Sequence, residues 1–104
     1  MSYRFAEKAL ADLRSIAEYT IREWGVEQCE RYLAALEMCC QDLAADPRLG
    51  RACAQISSGL FRQEQGKHVV FYRLRPHGIR VIAILHERML PELHLAADDQ
   101  EDND

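Results

Sequence analysis

No stretch of this sequence is apolar for long enough to cross a membrane. Runs such as Val81-Ile82-Ala83-Ile84-Leu85 fall far below the roughly 20 residues that a helical span requires. The first residues, Met1-Ser2-Tyr3-Arg4-Phe5-Ala6-Glu7-Lys8, lack the basic and then apolar profile of a secretory leader. A cytoplasmic protein is therefore expected. Cysteine is sparse and scattered. Cys29, Cys39, Cys40 and Cys53 form no C-x-x-C pair and have no histidines at zinc-finger spacing. A metal centre or redox protein is accordingly not expected, nor is any cofactor. The cysteines read as reduced, small core residues. No internal repeat and no interdomain linker is visible.

What is present is a chain of 104 residues with 48% apolar residues, enough for one domain with one hydrophobic core. Its formal charge of −4 divides unevenly. The end of the chain, Asp98-Asp99-Gln100-Glu101-Asp102-Asn103-Asp104, holds five acids and no base. The body before it carries 13 bases and 12 acids. Within the body, residues 1–46 hold five bases and nine acids, whereas residues 60–88 hold six bases and two acids. The expected organisation is a single domain over residues 1–97, acidic in its first half and basic in its second, with a disordered, solubilising tail over 98–104.

Tyr3-Arg4-Phe5 fits one short strand. From about Glu7 to Trp24 the positions Leu10, Leu13, Ala17, Thr20/Ile21 and Trp24 recur every three or four residues, which places them on one helix face. Gly25 ends that helix, since glycine adopts the left-handed conformation at little cost. Val26, Cys29, Leu33, Leu36, Cys40 and Leu43 mark a second amphipathic helix, ending near Asp46 because Pro47 disfavours helical geometry before it. So short a connection predicts an antiparallel helical hairpin. After Pro47 the pattern turns to strands: roughly Ile56 to Glu64, His68 to Leu74, and Ile79 to His86, separated by Gln65-Gly66-Lys67 and Pro76-His77-Gly78. An antiparallel meander against a helical hairpin gives a two-layer α+β fold of order β-α-α-β-β-β. On the last strand, Ile79, Val81, Ala83 and Leu85 share the face expected to meet the helices. Arg80, Ile82, Ile84 and His86 share the other, a mixed surface that either a partner or a returning C-terminal segment would cover.

Four segments carry a resemblance to a known family. They are Ala9-x-x-Asp12-Leu13-x-x-Ile16-x-x-Tyr19-Thr20 with Trp24-Gly25 and Gln28; Tyr32-Leu33 with Leu36 and Leu43-x-x-x-Pro47-x-Leu49-Gly50-Arg51; Arg62 with Gly66-x-His68-Val69-Val70-Phe71-Tyr72-Arg73; and Ile84-Leu85-His86-x-Arg88-Met89. In this order, over residues 5–95, the chain resembles the ParE toxins of the RelE/ParE superfamily. The resemblance implies the two-layer RelE/ParE-like fold and a toxin of a type II toxin–antitoxin system. It further implies that the toxin traps DNA gyrase with cleaved DNA and is neutralised in a hetero-oligomer with a ParD-like antitoxin. The chain departs from the usual ParE ending, in which an aspartate follows Arg-Met; here Leu90 and Pro91 follow Met89.

Relatives on the RelE side cut messenger RNA in the ribosome, and the resemblance leaves that chemistry as an alternative. A metal-independent ribonuclease needs a base for the 2′-hydroxyl, an acid for the leaving oxygen and cations for the phosphate. His68, His86, Tyr72, Lys67, Arg62, Arg73 and Arg88 are of the right types. Each also has a structural reading: His68 and Tyr72 share a strand face and can simply pack, and the arginines can decorate a solvated sheet. A body near +1 and an isoelectric point of about 5.5 are poor material for a protein that must grip ribosomal phosphate. No catalytic residue and no direct sequence-specific nucleic-acid binding are expected. The candidate contacts to antitoxin or gyrase are Arg62, Arg73, Arg80, His86 and Arg88. A toxin-like binding module without activity is the remaining alternative.

Overall fold

Gly25, at φ +91°, sits between two helices and serves both as cap. A side chain there would be strained, because L-residues rarely adopt that conformation. The Gly25 N–H donates to the Ile21 carbonyl at 2.9 Å, and the Gly25 carbonyl accepts from the Cys29 N–H at 3.1 Å. In this computed structural model, which describes residues 2–95, the hairpin is α1 (Glu7–Trp24) followed by α2 (Val26–Ala45). It is preceded by β1 (Ser2–Phe5). A 3-10 turn at Pro47–Leu49 leads to β2 (Arg51–Ala52), β3 (Leu60–Gln65), β4 (His68–Arg75) and β5 (Gly78–His86). A short α3 (Pro91–Leu95) follows.

The strands form one sheet in the order β1-β5-β4-β3-β2. The β3-β4-β5 meander is antiparallel as expected, whereas β1 adds in parallel to the edge of β5. Among the described residues three elements go beyond the six expected: the 3-10 turn at Pro47–Leu49, the two-residue β2, and α3. The strand expected from Ile56 begins only at Leu60, because residues 53–59 turn back on themselves through hydrogen bonds from Ile56 N–H and Ser57 N–H to the Cys53 carbonyl.

The helices cover one face of the sheet. Ala9, Ile16, Leu36, Cys39, Cys40, Leu43 and Ala44 meet Val70, Tyr72, Ile79, Val81 and Ile84 there. The stripe assigned to α1 needs correction. Its buried residues are Ala9, Ile16 and Thr20, while Leu10, Ile21 and Trp24 are exposed, Trp24 to 70%. Of the expected stripe Thr20 is buried and Leu13 packs against the core, while Ala9 and Ile16, one position round from Leu10 and Ala17, complete the true face. Thr20 tolerates burial because its hydroxyl donates to the Ile16 carbonyl at 2.6 Å. On α2 the expected stripe holds: Cys29, Leu36, Cys40 and Leu43 are buried, although Val26 is exposed. All four cysteines are free thiols inside the fold, and burial pushes the Cys40 thiol up to about 12.

The assignment of faces on β5 also needs correction. Tyr72 pairs with Val81 but Phe71 pairs with Ala83, so Ile82 is an extra residue in a β-bulge. Ile82 and Ala83 both join the cluster on the face away from the helices. The alternation then resumes with reversed parity. Leu85 packs on the outer face and Ile84 on the helix face. The returning C-terminal segment, the second of the two coverings expected, covers the apolar part of the outer face. Leu95 of α3 is only 2% exposed and packs with Cys53, Leu60, Val69, Phe71, Ile82, Ala83 and Leu85.

Beyond Phe5, β5 outlasts its parallel neighbour, and α1 takes over the edge. The Ala6 N–H donates to the Val81 carbonyl at 2.9 Å. Two residues past the bulge, the Ile84 N–H donates to Asp12 Oδ2 at 2.9 Å, and Lys8 Nζ holds the other oxygen of that carboxylate at 2.6 Å. Asp12 therefore replaces a strand as hydrogen-bond partner.

Candidate functional site

Pairing register gathers arginines on the face of the sheet that the helices leave open. Arg4 of β1 lies beside Arg80 of β5, and Arg80 lies opposite Arg73 of β4. Arg73 in turn faces Leu60, and Arg62 of β3 lies between Phe71 and Arg51 of β2. Because paired residues share a face, Arg4, Arg51, Arg62, Arg73, Arg75 and Arg80 all belong to one side. The only carboxylate among the described strand residues of that side is Glu64.

Local contacts hold these side chains in place. The Arg62 guanidinium lies 5.5 Å from the centre of the Phe71 ring, a favourable cation–π arrangement. Its Nη2 donates to Glu64 Oε2 at 3.0 Å, and Arg51 Nη2 reaches the same oxygen at 2.6 Å. Burial works to raise the Glu64 carboxyl, but a backbone hydrogen bond and the two guanidiniums outweigh it and hold the group below its usual value. Arg73 donates through Nη1 to the Ser58 carbonyl and through Nη2 to Ser57 Oγ, each at 2.6 Å. It thereby pins the loop between β2 and β3 across the sheet. Cys53 lies beneath these cations: burial raises its thiol, while Arg62, Arg73 and Arg51 pull the other way.

Of the five residues expected at the site, the fold brings together Arg62, Arg73 and Arg80. His86 and Arg88 are elsewhere. His86 stands six residues along β5 from Arg80, roughly 20 Å at the rise of a strand. The bulge has turned it to the helix side, where it pairs with His68. Arg88 is exposed in the turn after β5, and its backbone N–H donates to His86 Nδ1 at 3.1 Å. Three arginines of the face, Arg4, Arg51 and Arg75, were not anticipated. The parity of Arg73 and Arg75 was a usable signal for the last; β1 and β2 are too short to carry one.

Two of the acid–base candidates, Tyr72 and His68, make contacts within the fold. The Tyr72 hydroxyl donates to the Pro47 carbonyl at 2.6 Å. Burial drives its phenol up to about 12, against a backbone hydrogen bond from Gly50. Gly50 is required at that contact, since a Cβ there would collide with Tyr72 Oη and the Arg62 carbonyl. At the far end of the sheet Tyr32, His68 and His86 form a second cluster. The Tyr32 hydroxyl lies 2.5 Å from His68 Nδ1 and accepts from the Lys67 N–H at 3.1 Å. The His68 and His86 rings meet edge to face at 5.4 Å.

Burial lowers the His68 pKa, as does the charge of His86, while Asp12 and Glu87 act in the opposite sense. The native state therefore resists protonation more than the unfolded chain does. Stability is expected to be complete above the ordinary histidine pKa of about 6.5 and to fall as pH drops through that value, until the native imidazole also titrates. Thermal melts from pH 7.5 to pH 5 test this. The midpoint should fall on acidification, and His68→Asn should flatten that part of the profile.

The profile of the family described as the ParE toxin of type II toxin–antitoxin system, parDE, matches residues 3–91. The chain belongs to the ParE toxin family. Toxin ParE1 of Mycobacterium tuberculosis is 41% identical over 88 residues, covering 84% of this chain and 90% of that protein. Toxin ParE1 of Caulobacter vibrioides is 38% identical over 95 residues, covering 89% and 96%. Toxin ParE of Escherichia coli is 39% identical over 89 residues, covering 85% and 86%. Among solved structures, a chain of the chromosomal ParDE TA system from P. aeruginosa superposes with a TM-score of 0.70 at 19% identity, covering 83% of this chain and 95% of that one. That likeness establishes the fold. This ParE-type toxin of a type II toxin–antitoxin system thus has the α+β architecture expected from its sequence. Among its described residues no helix is long and apolar enough to cross a membrane.

Proposed function

We propose that this ParE-type toxin acts by binding rather than by catalysis: it arrests DNA gyrase with cleaved DNA, and a ParD-like antitoxin neutralises it by covering the arginine face. The observation that carries this reading is the array of Arg4, Arg62, Arg73 and Arg80 on the side of the sheet away from the helices. An acidic, amphipathic antitoxin segment that orders on docking finds there both apolar contacts and guanidiniums that pair with carboxylates in fixed geometry. Arg62, Arg73 and Arg80 are the proposed contacts. Arg88, exposed at the other end of β5, belongs to a separate surface and contributes to the gyrase contact if to either. His86 faces the helices and is withdrawn from the antitoxin surface.

The nuclease alternative is weaker. Tyr72 is locked on the Pro47 carbonyl and resists ionisation, and His68 is tied to Tyr32. Neither is poised beside the arginine face, which lies on the other side of the sheet. A cytoplasmic location and a single toxin domain over residues 1–97 accompany this proposal. A translation reaction containing the purified protein, probed for cut messenger RNA, should show intact transcripts; ribosome-dependent cuts would replace the binding reading with the nuclease one.

A further inference from the structure

One helical stripe of α1 serves neither the core nor the arginine face. Leu10, Leu13, Ala17, Ile21 and Trp24 recur every three or four residues and share one side of the helix. The buried residues of α1 are instead Ala9, Ile16 and Thr20. Leu10 is 40% exposed, Ile21 46% and Trp24 70%, while Leu13 and Ala17 are half-buried. Trp24 is the chain's single tryptophan, a residue type that is buried on average and enriched at interfaces.

The stripe is its own complement. When a second α1 is laid across the first in the opposite direction, with Ala17 crossing Ala17, Leu10 meets Trp24 of the second copy and Leu13 meets Ile21. Both pairs are centred on position 17, and the small Ala17 lets the two backbones approach there. We propose that two copies of this chain associate through α1 in this antiparallel, two-fold arrangement. Such a contact is isologous and closes on itself.

Charge agrees with the register. Arg14 and Glu18 are both exposed and lie on one flank of the stripe. The two-fold axis brings Arg14 of each copy beside Glu18 of the other, about 3 Å apart along the helix axis, the rise of two residues. Area agrees as well. Leu10, Ile21 and Trp24 leave on the order of 350 Å² uncovered on each copy. With the flanking side chains of both copies the contact reaches about 1,000 Å², the lower bound for a specific interface. A dimer of micromolar affinity is the expected form. The contact lies on the helical side, across the sheet from the arginine face, and rests on neither the antitoxin nor the gyrase reading.

The single tryptophan makes the test direct. The full chain, alone and reduced, is taken from about 1 to about 300 µM and followed by sedimentation velocity and by Trp24 emission. The mass should climb from 12.0 kDa towards twice that value. Over the same range the emission should move to shorter wavelength as the indole leaves water. Ile21→Lys, a change that an exposed helix position tolerates, should raise the dissociation constant at least tenfold. Arg14→Glu and Glu18→Arg should each weaken association about threefold, and the two together should restore it, because the pair is then reversed rather than lost. Net charge alone predicts the opposite for Glu18→Arg, which brings the chain nearer neutrality; tightening by that variant overturns the two-fold register. A chain that stays at 12.0 kDa with constant emission overturns the proposal. So does a dimer that Ile21→Lys leaves intact, since its contact lies elsewhere. Emission that shifts only when a ParD-like antitoxin is added overturns it too, since the stripe then belongs to that partner.

Discussion

Truncating Tyr72 to alanine is expected to lower the unfolding free energy by about 3–5 kcal/mol, the range for removing a large buried ring. Tyr72 is 0% exposed. Its ring stacks on Phe61 with centroids 5.7 Å apart and packs in the helix-side cluster with Leu43 and Val81. Its hydroxyl then crosses to the Pro47 carbonyl, just past the end of α2. One side chain therefore joins the centre of the sheet to the exit of the helical hairpin. Domains of this size are stable by only about 5–15 kcal/mol, so the loss removes much of the total. The melting temperature should fall by about 15–30 °C. Tyr72→Phe separates the two contributions. It keeps the ring and strands the Pro47 carbonyl, for an expected cost of about 1–2 kcal/mol. A Tyr72→Ala variant that melted within a few degrees of the parent would show that the hairpin and sheet are joined elsewhere.

The second large effect concerns binding. Arg73→Glu with Arg80→Glu is expected to weaken the complex with a ParD-like antitoxin by at least 100-fold. Charge-assisted hydrogen bonds contribute about 1.5–3 kcal/mol each, and reversal adds repulsion to their loss, so two positions lost together comfortably exceed the 2.7 kcal/mol that a factor of 100 represents. Arg73 also anchors Ser57 and Ser58; a thermal melt of the double variant therefore accompanies the titration. The control is Arg14→Glu with Arg22→Glu, which makes the same charge change at exposed positions on α1. That pair should leave affinity within about threefold of the parent. Equal weakening by both pairs would mean that net charge, and not the arginine face, governs the complex.

How far the molecule could be read beforehand depended on what kind of contact each feature needs. The helical hairpin was legible because its signals are local: apolar residues at helical spacing, Gly25 between the helices, and Pro47 after them. Even so, the face of α1 was only partly placed, with Leu13 and Thr20 on it but Leu10, Ile21 and Trp24 exposed. Leu10, Ile21 and Trp24 look like core residues, yet the residues that meet the sheet are Ala9, Ile16 and the self-satisfied Thr20, with Leu13 beside them. The meander was legible from its turns and β-branched runs. The bulge was not, because Val81 to Leu85 are apolar at every position and no parity is marked within them. Missing it put His86 on the wrong side and grouped it with Arg80. The parallel pairing of Ser2–Phe5 with Gly78–Val81 joins residues more than seventy positions apart, and a four-residue strand carries no trace of its partner. Arg4 was therefore invisible as a site residue. Arg62, Arg73 and Arg80 were found because they lie in a basic stretch of sequence, but what makes them one face is register, which only the folded sheet supplies.

The measurement that bears most directly on the central claim is a supercoiling reaction with purified DNA gyrase, relaxed plasmid and ATP, titrated with this protein. Binding-type inhibition predicts loss of supercoiling together with accumulation of linear plasmid after detergent and protease treatment, and its suppression by prior addition of the antitoxin. Undiminished supercoiling with no linear product, at protein concentrations well above those of gyrase, would contradict it.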